Sequence, residues 1–181
     1  SRQRHVAEAG SADVILFVDT FTQYFEPENA QAAVDVLVAG GYRVAIAAAA
    51  ADDADPARPL CCGRTFLAAG LLDEAKREAR RMVAALAPHA ARGAAVVGLE
   101  PSCLLTLRDE FLVLGLGEPA QALAARTFLF EEFLARELHE GKLALPLGPL
   151  PEARALLHGH CHQKAFDAVA PALAVLRLVP G

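Results

Sequence analysis

Four cysteines and a run of histidines carry most of the chemistry open to this chain of 181 residues. Cys61 and Cys62 are adjacent and followed by Gly63; Cys103 follows Glu100-Pro101-Ser102; Cys161 lies within His158-Gly159-His160-Cys161-His162. Thiols of this kind act as metal ligands or as nucleophiles, in both cases after losing the proton. Adjacent cysteines are poorly suited to bridging one another, and a disulfide scaffold normally packs more cysteines into a shorter chain. Ligation or thiol reactivity is therefore the expectation.

The neighbours of these cysteines support it. A helix start after Cys61-Cys62-Gly63 would place both thiols near free N–H groups and the positive end of a helix dipole, which favours thiolate. Gly63 lets the backbone approach a bulky group closely. Cys103, after Glu-Pro-Ser, has the same helix-start setting. Histidines at 158, 160 and 162 would share one face of an extended segment, with Cys161 on the other. His160 and His162 are candidates to support or ligate, whereas His158, His5 and His89 are assigned nothing.

Alternating strands and helices must position these residues. Val14-Ile15-Leu16-Phe17-Val18 reads as a buried parallel strand ending at Asp19-Thr20. Helical spacing follows over 28–39 and stops at Gly40-Gly41, and 43–47 reads as a second strand. A loop over 48–60 delivers the chain to the cysteine pair. From Thr65 a helix is expected, with Leu71, Leu72, Ala75, Ala79, Met82, Val83 and Leu86 on one stripe and a solvated charged face running from Asp73 to Arg81. Pro88 and Gly93 are expected to end it. The third strand is placed at 94–99, a helix opens at Pro101, a long helix spans 120–140, and a fourth strand covers 153–157. The fold expected is α/β: a parallel sheet with helices on both faces, a Rossmann-like three-layer arrangement. Functional loops of such sheets lie beyond the carboxyl ends of the strands, where the four cysteines would converge.

Composition removes other classes. Apolar residues make up 54% and charged residues 22%, as in globular proteins. The net charge of −5 argues against nucleic acid as a partner. No apolar run reaches the roughly 18 residues that span a bilayer, so no transmembrane segment is expected. A cytoplasmic location follows from this reading, with a peripheral place on the inner face of a membrane as a variant. Gly115-Leu116-Gly117-Glu118-Pro119-Ala120 formally fits a dinucleotide fingerprint. That motif must join a strand to a helix, and here it follows an expected helix; a nucleotide site is rejected. Phe128, Phe130 and Phe133 are read as core or interface residues, and no catalytic acid–base or nucleophilic triad stands out.

Four strings in order carry a resemblance: Pro59-Leu60-Cys61-Cys62-Gly63-Arg64, Gly70-Leu71-Leu72-Asp73-Glu74-Ala75, Gly98-Leu99-Glu100-Pro101-Ser102-Cys103, and His158-Gly159-His160-Cys161-His162-Gln163-Lys164. Over about 14–180 the chain resembles the CCG cysteine-rich domain. That domain occurs in the cysteine-rich subunit of heterodisulfide reductase, in the glycolate oxidase iron–sulfur subunit, and at the C-terminal end of FAD-linked oxidases of the D-lactate and glycolate dehydrogenase type. The resemblance implies thiolate ligation of an iron–sulfur cluster by Cys61, Cys62, Cys103 and Cys161, or of zinc in some members, with Gly63, Ser102, His160 and His162 in support. It implies electron transfer from an FAD-binding domain or subunit that oxidises a 2-hydroxy acid, with no catalytic residue in this chain itself.

The pattern departs from the family at Thr20, where some relatives have a cysteine, and in the second CC-G pair, expected beyond Gly181. The expected organisation is a polar, disordered lead over 1–13, a first CCG half over 14–152 and the start of an incomplete second half over 153–181. On this reading the chain belongs to a longer protein, lacks several ligands by itself, and would hold no cluster or an adventitious metal. Apolar surface left exposed in this way could also produce a homodimer. The two rival readings are a structural zinc or interaction module and a metal-free thiol-redox protein.

Overall fold

Val14–Phe17 (β1) is buried along its whole length, and alternate side chains enter two different cores. Ile15 and Phe17 join one cluster with Met82, Leu86, Leu104 and Phe111; Val14 and Leu16 join another with Leu37, Val44, Phe133 and Leu134. A strand buried on both faces is the mark of a sheet sandwiched between helical layers. The computed structural model describes residues 7–151 and 154–180.

The sheet has four parallel strands in the order β2-β1-β3-β4, with β2 at Val44–Ile46, β3 at Ala95–Gly98 and β4 at Thr127–Leu129. Val14 pairs with Val44 on one side and with Ala95 on the other. The helices in chain order are α1 (Thr20–Phe25), α2 (Pro27–Ala39), α3 (Arg64–Ala68), α4 (Leu72–Ala91), α5 (Pro101–Arg108), α6 (Glu110–Val113), α7 (Glu118–Ala124), α8 (Phe130–His139), α9 (Cys161–Ala165) and α10 (Val169–Leu176). The α/β, three-layer expectation holds. Because β2 and β3 flank β1 on opposite sides, the chain reverses direction across the sheet after β2. The loops after β1 and β3 therefore bound a crevice of the kind in which such sheets bind ligands.

The first three strands and α2 lie where their hydrophobic patterns place them, and α1, capped by Asp19, is an addition. Four expectations need correction. The helix expected from Thr65 is broken at Gly70 into α3 and α4, and Leu71 and Leu72 at the break are exposed rather than part of the buried stripe. The helix expected over 120–140 is interrupted by β4 between α7 and α8. Thr127 and Leu129 are buried against β3, so three residues of sheet pairing override an alanine-rich helical pattern. The strand expected over 153–157 is not formed by Arg154–Leu157, and Ala153 lies outside the described residues; Leu156 is fully exposed, so this apolar stretch has no sheet to bury it. Helix α4 also runs past Pro88 to Ala91, because Ala90 packs into the core beyond the proline.

The glycines at 115 and 117 join α6 to α7, with no strand before them, as the rejection of a nucleotide fingerprint requires. Of the lead, residues 1–6 lie outside the described residues, while the Ala7 N–H donates to the Val44 carbonyl at 2.7 Å. Helix α9 packs on α5 and α10 on α8. Among the described residues, no helix is long and apolar enough to cross a membrane.

Candidate thiol site

The loop after β2 is fixed by a charged side chain that the sequence pattern placed in solvent. Arg81 of α4 has only 8% of its side chain exposed. Its guanidinium donates to Asp53 Oδ2 at 2.6 Å, to the Pro59 carbonyl at 2.6 Å, to the Asp55 carbonyl at 3.0 Å, and to the Arg58 carbonyl. Arg58 reaches back to Glu78 at 2.8 Å, and Glu78 is buried too, its second oxygen lacking a partner. The face from Asp73 to Arg81 is therefore not uniformly solvated. Glu78 falls between Ala75 and Met82 at core spacing, and that interruption of an apolar stripe was the legible signal.

This clamp sets the turn Cys61-Cys62-Gly63 onto α4. Gly63 has φ +77° and caps α3. A Cβ there would stand 3.1 Å from the Ala75 carbonyl oxygen and 3.3 Å from Ala75 Cα. Both the left-handed backbone and the closeness of the α4 backbone demand glycine. The approach that glycine was expected to allow is thus to the chain's own helix.

Three of the four cysteines come together. Cys62 and Cys103 are buried, Cys61 half-buried, and Cys62 has Cys61 and Cys103 as neighbours. Hydrogen bonding with Cys62, then burial, pushes the Cys61 proton affinity well above the ordinary thiol range, although the Gly63 N–H donates to its sulfur at 3.5 Å. Contact with Cys103, followed by burial, pushes Cys62 up to about 12 against the opposing pull of Cys61 and the Arg64 N–H. The expectation that a helix start would stabilise thiolates is corrected here. Helix α3 has only five residues, and crowding among the thiols outweighs its N–H groups.

The fourth cysteine stands apart. Cys161 opens α9 and is exposed. Instead of an extended strand, its segment makes a capped helix start: His160 Nδ1 accepts from the His162 N–H at 3.1 Å, and the His160 N–H donates to Gln163 Oε1 at 2.9 Å. The His160 and His162 rings stack with centroids 5.2 Å apart. Arg64, next to the CCG turn, pairs with Glu110 and donates to His162 Nε2 at 3.1 Å. Burial first and the Arg64 charge second lower the His162 proton affinity, so its ring stays neutral. Glu100 accepts from the Ser102 N–H at 3.0 Å and lies 3.9 Å from His160 Nε2. Ser102 thus supports the start of α5, and Arg64 joins the CCG turn to the His-Cys-His segment. The positioning roles of Arg58, Arg64, Glu78 and Arg81 escape a search for cysteines and histidines.

Soft thiol donors from two helix starts suit an iron–sulfur cluster or zinc in kind. Among the described residues, however, no three histidine, cysteine, aspartate or glutamate side chains are disposed to hold one ion. The arrangement is Cys62 set between Cys61 and Cys103, with the fourth cysteine on the adjoining helix. Comparison with known protein families, curated proteins and solved structures returns no match. What fold and site define is a parallel three-layer α/β domain with a thiol trio at the carboxyl edge of its sheet.

Proposed function

We propose that this chain is an iron–sulfur electron-transfer domain of an FAD-linked oxidoreductase that acts on a 2-hydroxy acid of the lactate or glycolate type. One observation carries the reading: the Cys61-Cys62 pair and Cys103, distant from it in sequence, meet at one edge of the sheet. Cys161, Ser102, His160 and His162 are tied to the same neighbourhood through Arg64 and Glu100. The proximity that penalises thiolates in the absence of a cation is the proximity a cation exploits, since metal binding displaces thiol protons.

A bound cluster would supply one-electron chemistry between the flavin and an acceptor. The chain's residues have a different task. Cys61, Cys62, Cys103 and Cys161 give up protons and ligate; Gly63 and Arg81 hold the first pair in place; Arg64 keeps the histidine segment beside it. Hydrogen bonds to sulfur, such as those from the Gly63 and Arg64 N–H groups, tune the potential of such centres. The raised proton affinities of Cys61 and Cys62 weigh against the thiol-redox alternative, which needs a ready thiolate.

The test is the iron, acid-labile sulfide and zinc content of the full-length native protein purified without oxygen. Iron with sulfide, lost in Cys61→Ser and Cys161→Ser, supports the proposal. Stoichiometric zinc instead makes the chain a structural module. Neither metal refutes the ligand assignment.

A further inference from the structure

Beyond the carboxyl ends of β1 and β2, between α2 and the loop that leads to Cys61, lies a cavity of about 480 Å³. That volume falls within the range of small-molecule sites. Its lining is mainly apolar: Val34 and Leu60 are buried, and Ile46, a strand residue that would normally be covered, is 38% exposed. The run Ala47-Ala48-Ala49 leaves room where larger side chains would fill the space. Polar character comes from Gln23, Gln31 and Arg58.

The charge of a ligand can be worked out from what these groups already do. Phosphates at this edge of a parallel sheet rest on the first N–H groups of the helix after β1. In this chain Asp19 occupies that position. Its Oδ1 accepts from the Phe21 and Thr22 N–H groups at 2.9 and 3.1 Å, its Oδ2 accepts from Thr22 Oγ1 at 2.6 Å, and the residue is only 1% exposed. Helix α2 begins with Pro27, which has no N–H, followed by Glu28. The Arg58 guanidinium is engaged by Glu78, and the Gln31 amide donates to Asp35 at 2.8 Å. Among the described residues that line the cavity Arg58 is the one cation, and its charge is already matched by Glu78, while the Gln23 amide and the Gln31 carbonyl remain to orient a neutral ligand.

We propose that this cavity binds an uncharged, mostly apolar molecule of ring-system size bearing a carbonyl or similar hydrogen-bonding group. Phosphorylated ligands are disfavoured because Asp19 fills the helix start on which a phosphate at this edge would rest. The site is separate from the thiols, although the loop that walls it continues directly from Leu60 into Cys61.

Nile red, a neutral aromatic dye with one ring carbonyl, is a suitable probe. Fluorescence titration is expected to show saturable binding of one equivalent, weakened at least about tenfold in Ala30→Trp and in Ala48→Trp, which fill the cavity from opposite walls. Ala122→Trp is the control, because Ala122 lines a second apolar groove between α4 and α7; it is expected to leave binding unchanged. Circular dichroism melts establish that each variant folds, and either cavity variant suffices. The proposal is overturned by absent saturable binding, by binding that both cavity variants retain, or by binding lost only in Ala122→Trp. Displacement of the dye by ADP would overturn the neutral-ligand assignment.

Discussion

Replacing Gly63 by alanine tests whether the CCG turn is held by its contact with α4. Two effects add. A non-glycine residue in the left-handed region costs about 1–2 kcal/mol. The new Cβ would also stand 3.1 Å from the Ala75 carbonyl oxygen, a contact with backbone that cannot swing aside, and overpacking of this kind costs at least about 1 kcal/mol. Against them, alanine restricts the unfolded chain and returns about 0.4–1 kcal/mol. The expected net loss is about 2 kcal/mol, or a fall in melting temperature of about 4–8 °C for a chain of this size. Gly70 supplies the internal control. Its φ of +75° is nearly the same, but nothing lies within 4 Å of the Cβ position, so Gly70→Ala should lose only about 1 kcal/mol or less. Urea unfolding with a common m-value measures both. Equal losses would show that backbone strain alone is at work and would refute the seating of the turn on α4.

Alkylation with iodoacetamide at pH 8, followed by peptide mapping, should label exposed Cys161 first and leave Cys61 and Cys62 nearly unmodified; early labelling of the pair would overturn their protonated state. Since the folded protein keeps these two protons above the ordinary thiol pKa of about 9, the unfolded state binds fewer protons there, and stability should fall as pH climbs from about 9 towards 12. A Cys61→Ala, Cys62→Ala double variant should flatten that fall, and an unchanged slope would assign it elsewhere. Arg81→Met should speed hydrogen exchange across 53–59 and open Cys62 to alkylation, because four acceptors lose their donor; a loop that stays protected would show that the clamp is dispensable. Arg64→Met should speed exchange in α9 while leaving β1 and β3 protected, and a uniform increase would instead indicate global destabilisation.

The legible part of the fold was the part built from long or continuous hydrophobic patterns. Val14–Phe17 is a single apolar run, and 27–39 keeps helical spacing for three turns, so both were readable without tertiary context. Thr127–Leu129 was not: three residues flanked by helix formers carry no period, and only pairing with β3 makes them a strand. Arg154–Leu157 shows the converse, an apolar stretch that looks like a strand and finds no partner. At the site, residue type identified the thiols, and their position after strands led to the expectation that all four converge; three do, and Cys161 stands apart on α9. Burial of Glu78 was signalled by its place in the apolar stripe, but burial of Arg81 was hidden because its partners, Asp53 and the carbonyls of 55–59, come from a loop whose path no local pattern encodes. The high proton affinity of Cys62 was hidden for a related reason, since crowding by Cys103 is a long-range contact.

Strand order also sets a timetable for synthesis. The central strand β1 pairs with β3 across a separation that runs from Val14 to Ala95, so the ribosome must release every residue between them before the middle of the sheet can form. Closing so long a loop costs entropy before any pairing rewards it. In the later part of that interval Cys61 and Cys62 have emerged, but the β3–α5 segment that brings Cys103 against them has not. The nascent chain therefore presents an adjacent pair of thiols to its surroundings, and the window for oxidation or for capture by a carrier lies before the fold closes over Cys62.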